Sequence, residues 1–203
     1  MRLILVGHGQ STANAAGAFT GGDDVALTRK GQSEAEDTAR RLHEAGLVPT
    51  RIFCSPLSRC VQSASIIAKG LSLKHLTPAP LPGLRERDYG QLTGMNKADA
   101  GQQFGAAQVR IWRRSYAIAP PGGESLRDTA ARVLCAYVTD ILPAVLSEGP
   151  VLVVAHGNSL RALAMTLDGL NARQVEDLEI ATGQALVYTL AATSRIVART
   201  TLI

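Results

Sequence analysis

Aromatic residues account for only 4% of this chain, and its basic residues are scattered rather than gathered in a stripe. Nucleic-acid binding draws on clustered cations interleaved with aromatic stacking platforms, so it is not expected here. Cysteine is scarce as well. Cys54, Cys60 and Cys135 are odd in number and show no C-x-x-C spacing. That pattern suits free thiols in a reducing compartment, the cytoplasm, and not a disulfide framework. Long apolar runs are missing too. Runs such as Leu3–Val6 and Val151–Ala155 are far too short to span a bilayer, so neither a membrane span nor a secretory leader is expected. Lysine is rare: 17 of the 21 basic residues are arginine. Arginine's planar fork grips phosphate and carboxylate with paired hydrogen bonds, although a base-composition bias accounts for most of this excess.

What is present suits one globular domain spanning residues 1–203. Apolar residues make up 46% and charged residues 19%, with a net charge of +4. Leu3–Val6, Arg51–Cys54 and Val151–Ala155 read as strands, and Ala185–Leu190 with Ile196–Thr201 as a late strand pair. Helical spacing runs through Gly31–Ala45, Leu57–Ala68, Asn96–Phe104, Gln108–Tyr116, Glu124–Leu146 and Asn158–Leu167. Alternating strands and helices predict an α/β three-layer sandwich with a mostly parallel central sheet. No repeat or linker divides the chain.

Two segments match each other across the chain. One is Leu3-Ile4-Leu5-Val6-Gly7-His8-Gly9-Gln10-Ser11, and the other is Val151-Leu152-Val153-Val154-Ala155-His156-Gly157-Asn158-Ser159. Each is an apolar strand, one small residue, then His-Gly, a carboxamide and Ser. The C-terminal ends of strands in a parallel sheet face one crevice, so the two imidazoles are expected to meet there. A metal site would need further His, Cys or carboxylate ligands at close spacing, and neither segment supplies them. A serine hydrolase would need the second glycine of its nucleophile elbow, which Ser11 and Ser159 lack. A phosphoryl-accepting imidazole remains, with the second histidine and arginines binding the oxygens. His43 and His75 read as surface residues.

These segments resemble the histidine phosphatase superfamily, and the rest of the chain resembles its cofactor-dependent phosphoglycerate mutase branch in the short bacterial form. The likeness rests on His8-Gly9-Gln10-Ser11, Asn14, Phe19-Thr20-Gly21, Ser55, Leu57-Ser58-Arg59, Glu86-Arg87-Asp88-Tyr89-Gly90, Leu92, Gly94, Asn96-Lys97, Ile111-Trp112-Arg113-Arg114-Ser115, Pro120-Pro121-Gly122-Gly123-Glu124-Ser125-Leu126 and His156-Gly157-Asn158-Ser159-Leu160-Arg161. It implies that His8 becomes phosphohistidine and that Glu86 is the general acid/base. Arg59, His156, Ser11, Asn14, Gly157 and Asn158 would bind the phosphoryl group in transit. Thr20, Gly21, Arg87, Tyr89, Lys97, Arg113 and Arg114 would hold the carboxylate and second phosphate of a small phosphorylated acid. The implied priming cofactor is 2,3-bisphosphoglycerate, with no metal. A homodimer is the default oligomeric expectation.

Gly7 departs from the resemblance, since the family has arginine before its nucleophile. Losing one such donor typically costs about 10²–10³-fold in rate. Three accounts are open: an engineered change, a weakened paralogue that merely binds phosphometabolites, or compensation by another arginine, for which Arg2 and Arg161 are near in sequence. Hydrolysis of the phosphohistidine by water, a phosphomonoesterase activity, is the alternative chemistry. Restoring arginine at position 7 is expected to raise activity while leaving folding almost untouched.

Overall fold

The computed structural model describes residues 1–202. Strand β1 (Arg2–Gly7) leads through one turn of helix, α1 (Thr12–Ala15), into α2 (Arg29–Glu44). Strand β2 (Arg51–Cys54) is followed by α3 (Ser58–Gly70) and the two-residue β3 (Ala79–Pro80). Helices α4 (Lys97–Phe104) and α5 (Ala106–Arg114) precede α6 (Leu126–Ala136), which passes through a π-helical turn at Tyr137–Ile141 into α7 (Leu142–Ser147). Then come β4 (Val151–Ala155), α8 (Gly157–Leu167), a short α9 (Gln174–Asp177) and the antiparallel pair β5 (Ala185–Leu190) and β6 (Ile196–Leu202).

The strand order is β3-β2-β4-β1-β5-β6. β1, β2, β3 and β4 run parallel, and β5 and β6 close one edge antiparallel. Alternation along the strands sorts the core into two layers. Leu3, Leu5, Val151, Val153 and Tyr188 pack under α6, α7 and α8, whereas Ile4, Val6, Ile52, Leu152 and Val154 pack under α2 and α3. The three-layer sandwich is thus as the sequence implied. Leu3 to Val6 are essentially unexposed. Each such side chain contributes roughly 1.5–3 kcal/mol on burial, so the strand leading to His8 is firmly seated.

The apolar stretch Glu124–Leu146 is interrupted, contrary to its unbroken helical spacing. Ser125 caps α6 through a reciprocal pair with Asp128, so the helix starts after it. Pro143 has no N–H to give the carbonyl of Thr139, and its ring crowds that carbonyl. The helix opens into the π turn just ahead of it. By length and composition Leu126–Ser147 could cross a membrane. Here Val133, Tyr137, Ile141, Ala144 and Val145 instead form part of the core over the sheet. Sequence spacing missed α1, β3 and α9, which are too short to set up a period.

Candidate active site

β1 and β4 are neighbours in the sheet, with Val6 opposite Val154 and Gly7 opposite Ala155. This register carries the twin motifs to the same sheet edge. The His8 N–H donates to the Ala155 carbonyl at 3.0 Å, and the His8 and His156 rings lie 5.0 Å apart, edge to face. The backbone beyond His8 is fixed by a glycine contact. A Cβ on Gly9 would come within 2.0 Å of the Gly31 carbonyl oxygen, and a Cβ on Gly31 within 2.1 Å of the Gln10 oxygen. Only two residues without side chains allow the start of α2 to press this closely on the loop that follows His8.

His8 Nδ1 lies 2.7 Å from the Gly9 carbonyl. A carbonyl only accepts, so Nδ1 carries the hydrogen and Nε2 is the ring's basic nitrogen. Burial, against the opposing pull of the Gly9 hydrogen bond and with help from the Arg59 charge, lowers the His8 pKa to about 4. His156 is completely buried, its Nε2 2.8 Å from Ser55 Oγ and 3.4 Å from Cys60 Sγ. Burial, then His8 and Arg59, holds it well below the usual imidazole range. Both imidazoles are therefore neutral near pH 7.

A cavity of about 560 Å³ opens at this edge. It brings together His8, Asn14, Glu86, Tyr89, Lys97, Arg113, Arg114, Gly157 and Asn158, which the sequence had singled out from six separate stretches of chain. Among the described residues, four cations (Lys97, Arg113, Arg114 and Arg161) line it against two carboxylates, Glu86 and Glu179. Burial above all, and then the nearby Arg113 charge, lowers the Lys97 pKa. Glu86 Oε1 accepts the Arg87 N–H at 2.7 Å. Asn158 Nδ2 donates to Tyr89 Oη at 3.1 Å.

The other candidates do not line this cavity. Arg59 is buried nearby, its Nη1 and Nη2 donating to the Asp23 and Gly21 carbonyls at 2.7 and 3.1 Å. Gly21 thus serves Arg59 through its backbone, and the Thr20 carbonyl closes a turn by accepting the Asp23 N–H. Ser11 caps α1 in a reciprocal pair with Asn14. Arg87 is wholly buried, its Cζ 4.6 Å from the Tyr89 ring and its Nη2 donating to the Arg113 carbonyl. Among the described residues its Nε and Nη1 have no partner. His43 and His75 are exposed, as expected.

Sequence reasoning missed two parts. Arg132 on α6 donates to the carbonyls of Gly83, Arg85 and Glu86 and forms a two-point pair with Glu124, thereby holding the loop that presents Glu86. The available signal was its spacing, eight residues after Glu124 and so two helical turns on. The segment from Glu179 to Gln184 forms another wall, with Glu179 paired to Arg114 at 2.6 Å. Of the two arginines considered as substitutes for the missing one, Arg2 is excluded. It lies at the opposite end of β1, bound to Thr189. Arg161 lines the cavity.

Gly7 is enclosed by that same wall. Its N–H and carbonyl bond to Gln184 and Gly183, and an added Cβ would sit 2.8 Å from the Ala181 carbonyl oxygen. This corrects the expectation that arginine at position 7 leaves folding untouched. We expect Gly7→Arg to cost about 1–3 kcal/mol by overpacking. At this chain length that is roughly a 3–10 °C fall in Tm by circular dichroism. An unchanged Tm would mean that the 181–184 segment is free to withdraw.

The comparisons with known proteins agree with this geometry. Residues 3–200 match the family model of the histidine phosphatase superfamily, branch 1. The 2,3-bisphosphoglycerate-dependent phosphoglycerate mutase of Chelativorans sp. (strain BNC1) is 51% identical over 188 residues, which is 93% of this chain and 91% of the relative. The enzyme of the same name from Methylobacterium radiotolerans is 48% identical, covering 98% of this chain and 94% of the relative. Among solved structures, a mycobacterial glucosyl-3-phosphoglycerate phosphatase complexed with VO3 superposes with a TM-score of 0.80 at 27% identity, covering 93% of this chain and 92% of that one. The chain belongs to the histidine phosphatase superfamily, branch 1, and within it to the 2,3-bisphosphoglycerate-dependent phosphoglycerate mutase family.

Proposed function

We propose that this protein interconverts 3-phosphoglycerate and 2-phosphoglycerate in the cytoplasm, a step of glycolysis and gluconeogenesis, by way of a phosphoryl group carried on His8. One observation carries the reading. A neutral imidazole, its Nδ1–H tied to Gly9, offers Nε2 as its basic nitrogen beside a cavity in which, among the described residues, cations outnumber carboxylates. The mutase relatives favour isomerisation over hydrolysis.

The residues present fit 2,3-bisphosphoglycerate, which bears two phosphates and a carboxylate. Lys97, Arg113 and Arg114 stand in the cavity wall, and buried Arg87 beside it has two unpartnered donors. When bound, the cofactor supplies the phosphoryl group that primes His8. In the transfer, His8 Nε2 forms a bond to phosphorus as the ester P–O bond breaks. The Glu86 carboxyl gives its proton to the departing oxygen, and its carboxylate takes one from the hydroxyl that attacks in the return step. The N-terminal turn of α8, at Gly157 and Asn158, offers backbone N–H groups to the charge on the equatorial oxygens.

The test is turnover of 3-phosphoglycerate with and without catalytic 2,3-bisphosphoglycerate, following 2-phosphoglycerate and free phosphate together. We expect isomerisation that depends on the bisphosphate and exceeds phosphate release. Phosphate release that outpaces isomerisation, with no stimulation by the bisphosphate, would establish a phosphomonoesterase instead.

A further inference from the structure

Gly7 meets the cavity without a side chain, so β1 delivers no cation next to His8. One guanidinium in the same cavity wall has no role in the account above. Arg161, on the first turns of α8, is only 4% exposed yet lines the cavity with Gly7, His8 and Asn158. Its Nη1 donates to Asn158 Oδ1 at 3.0 Å and its Nη2 to the Val175 carbonyl at 2.6 Å. Among the described residues its Nε has no partner. Both partners are neutral, and among the described residues no carboxylate lies within ion-pair distance of it. After burial, the strongest influences on its charge are repulsion from Arg114 and Arg87, ahead of any attraction from Glu86. A buried cation with neutral partners, an orphan N–H and like-charged neighbours is unfavourable until an anion completes it.

We propose that Arg161 is a phosphate-binding residue of this site, supplying from α8 the charge that Gly7 leaves out of β1. The inference rests on the phosphate-ester reading of the cavity, though not on isomerisation as the outcome. A purely structural Arg161 would instead be a strut tying Asn158 to the backbone at Val175. The two roles separate by experiment.

Inorganic phosphate is titrated into the purified full chain, with binding followed by calorimetry and the arginine Nε–H resonances by NMR. The Arg161 resonance is assigned by its loss in Arg161→Lys. We expect phosphate to shift that resonance in the unaltered protein. We also expect Arg161→Gln to weaken phosphate binding by about tenfold or more, and Arg161→Lys, which keeps the charge, to recover most of the loss. A strut would make lysine and glutamine equally poor. An Arg161 Nε–H resonance that stays in place at saturating phosphate overturns the proposal, and that measurement needs no variant to fold well. Unaltered protein that gives the Arg161-dependent phosphate response without mutase turnover would defeat the isomerase reading and leave this one intact.

Discussion

His8→Ala is expected to abolish labelling by 2,3-bisphosphoglycerate and to lower turnover by about 10⁴-fold or more, the scale seen when a covalent nucleophile is removed. The reason is positional. His156, the other imidazole within reach, has its Nε2 against Ser55 Oγ and Cys60 Sγ and is completely buried. It has no opening through which to replace His8. Phosphopeptide mapping under alkaline conditions, which preserve phosphohistidine, checks the point; label surviving in the alanine variant defeats the assignment. The same residue predicts a pH dependence. Its folded pKa of about 4 lies below the ordinary imidazole value of 6.5, so between those values the unfolded chain binds the extra proton. Stability contributed by neutral His8 is therefore complete above about pH 6.5 and is lost as pH falls toward 4. In the free protein, the His8 ring protons should titrate near pH 4 by NMR. A midpoint near 6.5 would mean that the ring is far better hydrated than its 7% exposure allows.

Glu86→Gln is expected to lower kcat by about 10²–10⁴-fold, the usual worth of a positioned acid/base, with KM nearly unchanged. Glutamine is the right probe because it preserves size and can still accept the Arg87 N–H at Oε1. What it loses is the proton. The loop bearing Glu86 stays put because Arg132 holds the carbonyls of Gly83, Arg85 and Glu86 rather than the carboxyl. A variant with unchanged kcat and raised KM would recast Glu86 as a binding residue. Isomerisation and phosphate release should also be followed separately, since water and a sugar-acid hydroxyl compete for the same phosphoryl group.

The parts of this site that could be read from sequence are those with a local signature. The two strand–His-Gly segments could be matched by eye, and a parallel sheet brings such twins to one edge, as the pairing of Val6 with Val154 bears out. Glu86, Tyr89, Lys97 and the Arg113-Arg114 pair came from a family likeness, because loop residues carry no period of their own. Arg161 and Arg132 were hard to value because helical spacing says which residues share a face, not what that face meets. Arg161 reaches the cavity only because α8 starts directly after His156. The enclosure of Gly7 by Ala181–Gln184 joins segments some 175 residues apart, and no local pattern announces such a contact. Pro143 is a legible break, since a proline inside an apolar helical stretch removes a hydrogen bond from the helix.

The interlocked glycines at positions 9 and 31 also bear on how this chain can drift over generations. Every single-base change in a glycine codon that alters the amino acid, short of a stop, installs a Cβ. At either position that atom lands on main-chain oxygen at about 2 Å, where no rotamer choice relieves it. Neither codon can serve as a stepping stone unless the start of α2 moves as a unit. In an exhaustive substitution library scored by growth, Gly31 would look as intolerant as His8 although it is no part of the cavity lining. Intolerance there would record the seating of His8 rather than chemistry.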